Sequence, residues 1–148
     1  MKVLIQKVSR AEVRVAERVI SSIGEGLLLF LGVEKGDTEK DVGFLAEKIP
    51  RMRIFPDAEA KMNLSLLDVG GEILVVSQFT LAGDVQKGRR PSFDRAAPPT
   101  IAERYYQEFV NQLKKTGMKV ATGEFQAMMS VELVNEGPVT FMVESKAK

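Results

Sequence analysis

Apolar and polar residues alternate along the opening of the chain with a period of two, the spacing of a strand buried on one face. Val3 and Ile5, with Lys7, share one face of a strand predicted over 3–8. Glu12-Val13-Arg14-Val15 repeats the alternation, and residues 18–22 are placed as its hairpin partner. Gly26 to Val33 is instead a continuous apolar run, which fits a strand buried on both faces; residues 73–80, following Gly70-Gly71, form a second such strand. From Asp37 the period lengthens: Val42, Leu45, Ala46, Ile49 and Met52 mark a helix with Asp37 as N-cap, ended by Pro50, which lacks an N–H. A second helix begins at a Thr100/Glu103 capping box, carries the stripe Ala102, Tyr105, Tyr106, Phe109 and Leu113, and stops at Gly117 behind Lys114 and Lys115. Two closing strands, 128–134 and 139–143, are joined by Asn135-Glu136-Gly137-Pro138. With no linker, repeat or low-complexity tract, the expectation is one domain over 1–148 of class α+β, with mainly antiparallel sheets packed face to face and two principal helices.

Composition narrows the chemistry. The chain has 148 residues, 45% hydrophobic and 28% charged, with a net charge of +1, so it is globular and has no general basic excess for gripping nucleic acid. A nucleic-acid partner would have to be held by local patches. The apolar run at the start is too short for a secretory signal, and no stretch reaches the roughly 20 residues that span a bilayer, so a cytoplasmic location and no membrane partner are expected. Cysteine and histidine are both absent. There is no thiolate nucleophile, no Ser-His-Asp or Cys-His arrangement, and no imidazole or thiolate for a metal. No cofactor or metal site is expected. An enzyme built from this chain must work by positioning, backbone dipoles, carboxylates, lysine or tyrosine, or a group on its substrate.

Three segments carry polar groups that need a reason. Ser77-Gln78-Phe79-Thr80 ends an otherwise dry strand; its side chains either bond neighbouring strands or form a pocket that holds a carbonyl and its developing oxyanion. Asn135-Glu136-Gly137-Pro138-Val139-Thr140 is either a plain hairpin turn or a rigid step that aims its carbonyls at a ligand. Lys87-Gly88-Arg89-Arg90-Pro91-Ser92-Phe93 is either a solvated loop or a phosphate contact with an aromatic for stacking. Met128-Met129 read as core filler and the two tyrosines as packing, while Glu34, Asp37, Asp57 and Asp68 form no metal motif.

Read together, Ser77-Gln78-Phe79-Thr80-Leu81 and Asn135-Glu136-Gly137-Pro138-Val139-Thr140 resemble the paired signatures of the D-aminoacyl-tRNA deacylase family. Gln6-Lys7-Val8-Ser9-Arg10-Ala11, Leu31-Gly32-Val33, Arg53-Ile54-Phe55, Lys61-Met62-Asn63 and Arg90-Pro91-Ser92-Phe93 are similar to the same family in the same order, covering essentially the whole chain. The resemblance implies that family's fold and a homodimer whose active sites are completed across the interface. It implies translation quality control: hydrolysis of the ester of D-aminoacyl-tRNA, and of glycyl-tRNA, bound by its aminoacylated 3′ end. Ser77, Gln78 and Thr80 would be the catalytic set; Phe79, Met129, Asn135 and Thr140 would bind substrate. Gly137 and Pro138 would form a cis peptide that rejects L-aminoacyl esters by steric clash. The terminal ribose 2′-hydroxyl would assist the attack. No base in this chain can activate Thr80 as a nucleophile, so an oxyanion or positioning role is expected of it. Lys7 stands where many relatives carry an arginine that braces the Gly-Pro loop, and it lacks the guanidinium's fork of donors. The rival expectation is a non-catalytic nucleic-acid-binding module on the same fold.

Overall fold

The computed structural model describes residues 1–146. In chain order the elements are β1 (Lys2–Val15), β2 (Arg18–Ile23), β3 (Gly26–Gly32), α1 (Glu39–Lys48), β4 (Phe55–Pro56), β5 (Met62–Leu64), α2 (Leu66–Val69), β6 (Glu72–Ser77), α3 (Pro99–Lys114), β7 (Val120–Thr122) and β8 (Ser130–Glu144). The class is α+β, as the periodicities indicate.

The two opening strands are one. β1 runs unbroken from 2 to 15; residues 2–8 pair with β3, residues 11–15 pair with β2, and β8 follows most of its length on the other side. Val3 and Ile5 belong to one hydrophobic cluster, whereas Val8, Ala11 and Val13 belong to another. Strict alternation would put Val8 on the face opposite to Ala11 and Val13. The irregularity between Val8 and Arg10 turns the strand so that all three reach the same core.

The large sheet has six strands, β2-β1-β3-β6-β7 with β8 on β1, and serves two cores; β4 and β5 form a separate small sheet. One face of β3 and β6 is covered by α1 and α3 through Leu45, Tyr106, Phe109 and Leu113, with Ile49 of the turn after α1. The other face, with Leu28, Leu74 and Val76, is covered by residues of the curled ends of β1, β2 and β8, including Val13, Ile23, Val131 and Leu133. Both faces are dry, which is why β3 and β6 read as unbroken apolar runs.

Pairing is antiparallel along β1 but parallel between β3 and β6 and between β6 and β7. The chain therefore contains two crossovers that the hydrophobic pattern did not disclose: α1 lies between β3 and β6, and α3 between β6 and β7.

Both helix starts differ from expectation. Thr38, not Asp37, is the N-cap of α1 and forms a capping box with Asp41. Asp37 is instead buried against the Met1 ammonium at 2.8 Å, because an otherwise isolated buried cation recruits the nearest carboxylate. In α3, Pro98 is the N-cap without a side-chain bond and Pro99 takes the first helical position, so the helix starts one residue before Thr100 can cap it.

The closing segment is the largest correction. Residues 130–144 form one strand, and both parts pair antiparallel with β1: Ser130 to Asn135 lie against Arg14 to Val8, and Thr140 to Glu144 against Gln6 to Lys2. A hairpin would reverse direction between them. Glu136 to Val139 instead bulge out of a continuing strand.

Candidate active site

β6 ends at Ser77, and the chain turns at once into a short 3-10 turn over Phe79–Ala82. Thr80 thus stands in that turn, not on the strand. Gln78 N–H donates to the Leu31 carbonyl at 2.7 Å and anchors the turn to the end of β3. Gly32 is required there: a Cβ on it would stand 2.9 Å from Leu81 Cβ and 3.2 Å from the Gln78 carbonyl oxygen.

Beside this turn lies a cavity of about 800 Å³. Of the residues expected at the site, Ser77, Gln78, Phe79 and Met129 line it, and Thr80 is not among the lining residues. The remaining walls come from the end of β3 and its following strap (Leu31, Val33, Lys35), the approach to α3 (Phe93, Ala97, Pro98) and the segment 125–129. These were not anticipated, except that Phe93 was noted as an aromatic at the end of a basic loop. Phe79 and Phe93 meet edge to face at 5.1 Å at the mouth, where Phe79 remains 57% exposed. Met129 is held by its sulfur, which accepts the Glu124 N–H at 3.4 Å. Met128 is not core filler: it is 90% exposed beside the cavity.

The chemistry available is narrow. Gln78 Nε2 donates to Thr80 Oγ1 at 2.5 Å, which orients that hydroxyl. Lys35 is the one ionisable side chain among the lining residues, and no carboxylate lines the cavity. Tyr106 lies nearby in the core, but burial raises its phenol to about 12, and its hydroxyl donates to the Val75 carbonyl at 3.2 Å. It packs, as expected, and offers no acid or base near neutrality. Most of the wall is apolar, and its hydrogen-bonding groups gather at the end of β6 and in the turn after it, an arrangement suited to holding a carbonyl and its oxyanion.

The second candidate cluster lies elsewhere. Gly137–Pro138 is a cis peptide with Gly137 at φ +136, and residues 136–138 are exposed. Asn135 Oδ1 accepts the Val139 N–H at 3.0 Å and its Nδ2 donates to Thr140 Oγ1 at 2.9 Å, while Gln6 Nε2 donates to the same oxygen at 3.2 Å. Asn135 and Thr140 are thus engaged in holding the bulge, and neither lines the cavity. Lys7 takes no part in those hydrogen bonds; its ammonium lies 5.7 Å over the Phe55 ring.

The sheet register shows how far apart the clusters are. The bulge faces Lys7 of β1, which is level with Leu27 of β3 and Ile73 of β6, four residues before Ser77. Three strand spacings across, about 14 Å, and four residues along, about 13 Å, combine to a separation on the order of 20 Å.

This fold recurs in solved structures. One described as "c-Myc DNA Unwinding Element Binding Protein" superposes with a TM-score of 0.94 at 42% identity, covering 99% of this chain and 100% of that one. Another, described as a probable eukaryotic D-amino acid tRNA deacylase, gives 0.85 at 18% identity over 97% and 98% of the two chains, a likeness of fold. On the family model and the curated relatives, the class is that of the deacylases, which are hydrolases. The chain belongs to the D-aminoacyl-tRNA deacylase family: the family model described as D-Tyr-tRNA(Tyr) deacylase matches residues 4–144. A D-aminoacyl-tRNA deacylase of Geobacter sulfurreducens is 56% identical over 100% of this chain and 97% of its own. That of Thermodesulfovibrio yellowstonii is 53% identical over 99% and 100%. No helix among the described residues is long and apolar enough to cross a membrane.

Proposed function

We propose that the chain, folded as a single domain, hydrolyses the ester between a D-amino acid and the terminal adenosine of tRNA. The cavity binds the aminoacylated 3′ end, and a second copy of the chain supplies Gly137–Pro138 to complete each site. Water adds to the ester carbonyl, the acyl C–O bond breaks, and the products are the free amino acid and a tRNA with both ribose hydroxyls restored. Ser77, Gln78 and Thr80 hold the carbonyl and the oxyanion that forms from it; Phe79 and Met129 hold the adenosine and the acyl group. The ribose 2′-hydroxyl assists the attack, as the family resemblance implies; a chain without histidine and a cavity wall without a carboxylate support that reading. The backbone step excludes any side chain of L configuration, while glycine, which has none, passes.

The observation that carries this reading is the separation of the two signatures. The loop is exposed at residues 136–138, braced at its base, and on the order of 20 Å from its own pocket, so within the described residues it does not reach that pocket. Among the described residues β8 pairs with β1 alone and leaves its other edge open, and Val134, Phe141 and Met142 along it are exposed. A long edge with apolar side chains is the surface that a second copy covers. Asn135 and Thr140 then serve the substrate indirectly, by keeping the step rigid. We place the protein in the cytoplasm, where its substrate is used.

A nucleic-acid-binding role without turnover is the second reading, favoured by the description of the structural relative named for DNA binding. Release from D- and L-aminoacylated forms of one tRNA separates the two, with a 2′-deoxy terminal adenosine as control. The deacylase reading expects D-ester cleavage, spared L-ester, and a large loss on the 2′-deoxy substrate. Affinity without release, or equal cleavage of both hands, contradicts it.

A further inference from the structure

We propose that Lys35 is a specificity-determining contact to the phosphate on the 5′ side of the terminal adenosine; this rests on the deacylase reading of the pocket. The observation is a cation left over at the cavity mouth. Lys35 is exposed, lines the cavity, and has no carboxylate within ion-pairing distance among the described residues. Its acidic neighbours are occupied elsewhere: Glu34 and Asp37 both face the Met1 ammonium, with Lys2 and Lys146 completing their pairs.

The backbone that carries Lys35 is stapled in place. Lys35 N–H donates to the Arg95 carbonyl at 2.8 Å, and Ala97 N–H donates to the Val33 carbonyl at 3.0 Å. These bonds hold the strap after β3 against the approach to α3. Pro98 and Pro99, at the amino end of that helix, form part of the same rim, so the helix dipole adds positive potential where Lys35 stands.

An uncharged aminoacyl-adenosine suits a mostly apolar cavity of about 800 Å³. A tRNA end does not stop there. Its chain continues through a phosphodiester whose negative charge has to leave by the mouth, and the wall offers it one cation and no anion. Lys35 therefore distinguishes a polynucleotide end from a free aminoacyl nucleoside.

The test compares wild type, Lys35→Gln and Lys35→Arg on D-aminoacyl-tRNA and on the 3′-D-aminoacyl ester of adenosine without a 5′-phosphate. For Lys35→Gln, KM for the tRNA rises about tenfold with kcat near wild type. The preference for tRNA over the phosphate-free ester, as a ratio of kcat/KM, falls by the same factor. The slope of log KM against log salt flattens by about 0.7, one phosphate's share on a single strand. Lys35→Arg restores the preference. An unchanged preference and salt slope overturns the proposal, as does an equal loss on both substrates. Should Lys35→Gln fail to fold, wild type supplies the second measurement: adenosine 5′-monophosphate must bind more tightly than adenosine, by a margin that shrinks with salt, and equal affinities overturn the proposal. If wild type cleaves neither ester, it is the deacylase reading that fails.

Discussion

The side-chain amide of Gln78 donates to the hydroxyl oxygen of Thr80 at 2.5 Å, which leaves the Thr80 proton free to donate outward. On the proposed deacylase reading, a hydroxyl held in this way serves as a donor to the developing oxyanion and not as a nucleophile awaiting a base. Thr80→Ala is expected to lower kcat by about 10²–10³ and to leave measurable turnover, as loss of one oxyanion donor does. Single-turnover kinetics on D-aminoacyl-tRNA measure it. Complete loss in a folded protein would assign Thr80 a covalent role.

Asn135 closes the bulge from within, through the Val139 N–H and the Thr140 hydroxyl. Asn135→Ala removes both bonds, at a local cost of about 1–3 kcal/mol, and is expected to loosen the step proposed to exclude L side chains. Cleavage of L-aminoacyl-tRNA relative to the D form should rise at least about tenfold, on the scale of 1.4 kcal/mol per decade. An unchanged ratio would show that Asn135 does not govern the loop.

Acid stability should depend on Asp41. Burial opposes its ionisation, but the Ser145 hydroxyl, the Thr38 N–H, Lys146 and the Met1 ammonium outweigh burial and hold its carboxyl below the usual aspartate range. A lowered folded value stabilises the protein fully above the unfolded value, about 3.9, and that contribution disappears as pH falls through the folded one. Asp41→Asn should therefore be less stable at neutral pH and should lose less between about pH 4 and pH 2 than wild type. Urea unfolding at stepped pH checks this, and parallel pH profiles would refute it.

Local chemistry exposes some of these features and conceals others for physical reasons. The run 26–33 and most of the run 73–80 were legible because both faces of β3 and β6 are dry, though the strand ends at Ser77; the α3 stripe was legible because Tyr106, Phe109 and Leu113 face one core. Asn135-Glu136-Gly137-Pro138 was not: the same residues suit a hairpin turn and a bulge that returns to the same line, and only pairing with β1 decides between them. Asp37 and Thr38 both suit an N-cap, and the choice was made by Met1, remote in sequence. Ser77, Gln78, Phe79 and Met129 came together in one cavity, whereas Lys35 gave no local signal, because the rim exists only where residues 33–35 meet 95–97.

If one copy's backbone step guards the other copy's pocket, mixing two kinds of subunit will transfer selectivity between them. A loop variant, Gly137→Ala with Pro138→Ala, keeps its pocket and is expected to cleave both hands; a filled-pocket variant, Ser77→Phe, keeps its loop and cleaves neither. Titrating the first with an excess of the second should restore selectivity, so that L-ester release falls while D-ester release persists. An L-to-D ratio unmoved by mixing, with mixed dimers confirmed by mass, would contradict the account.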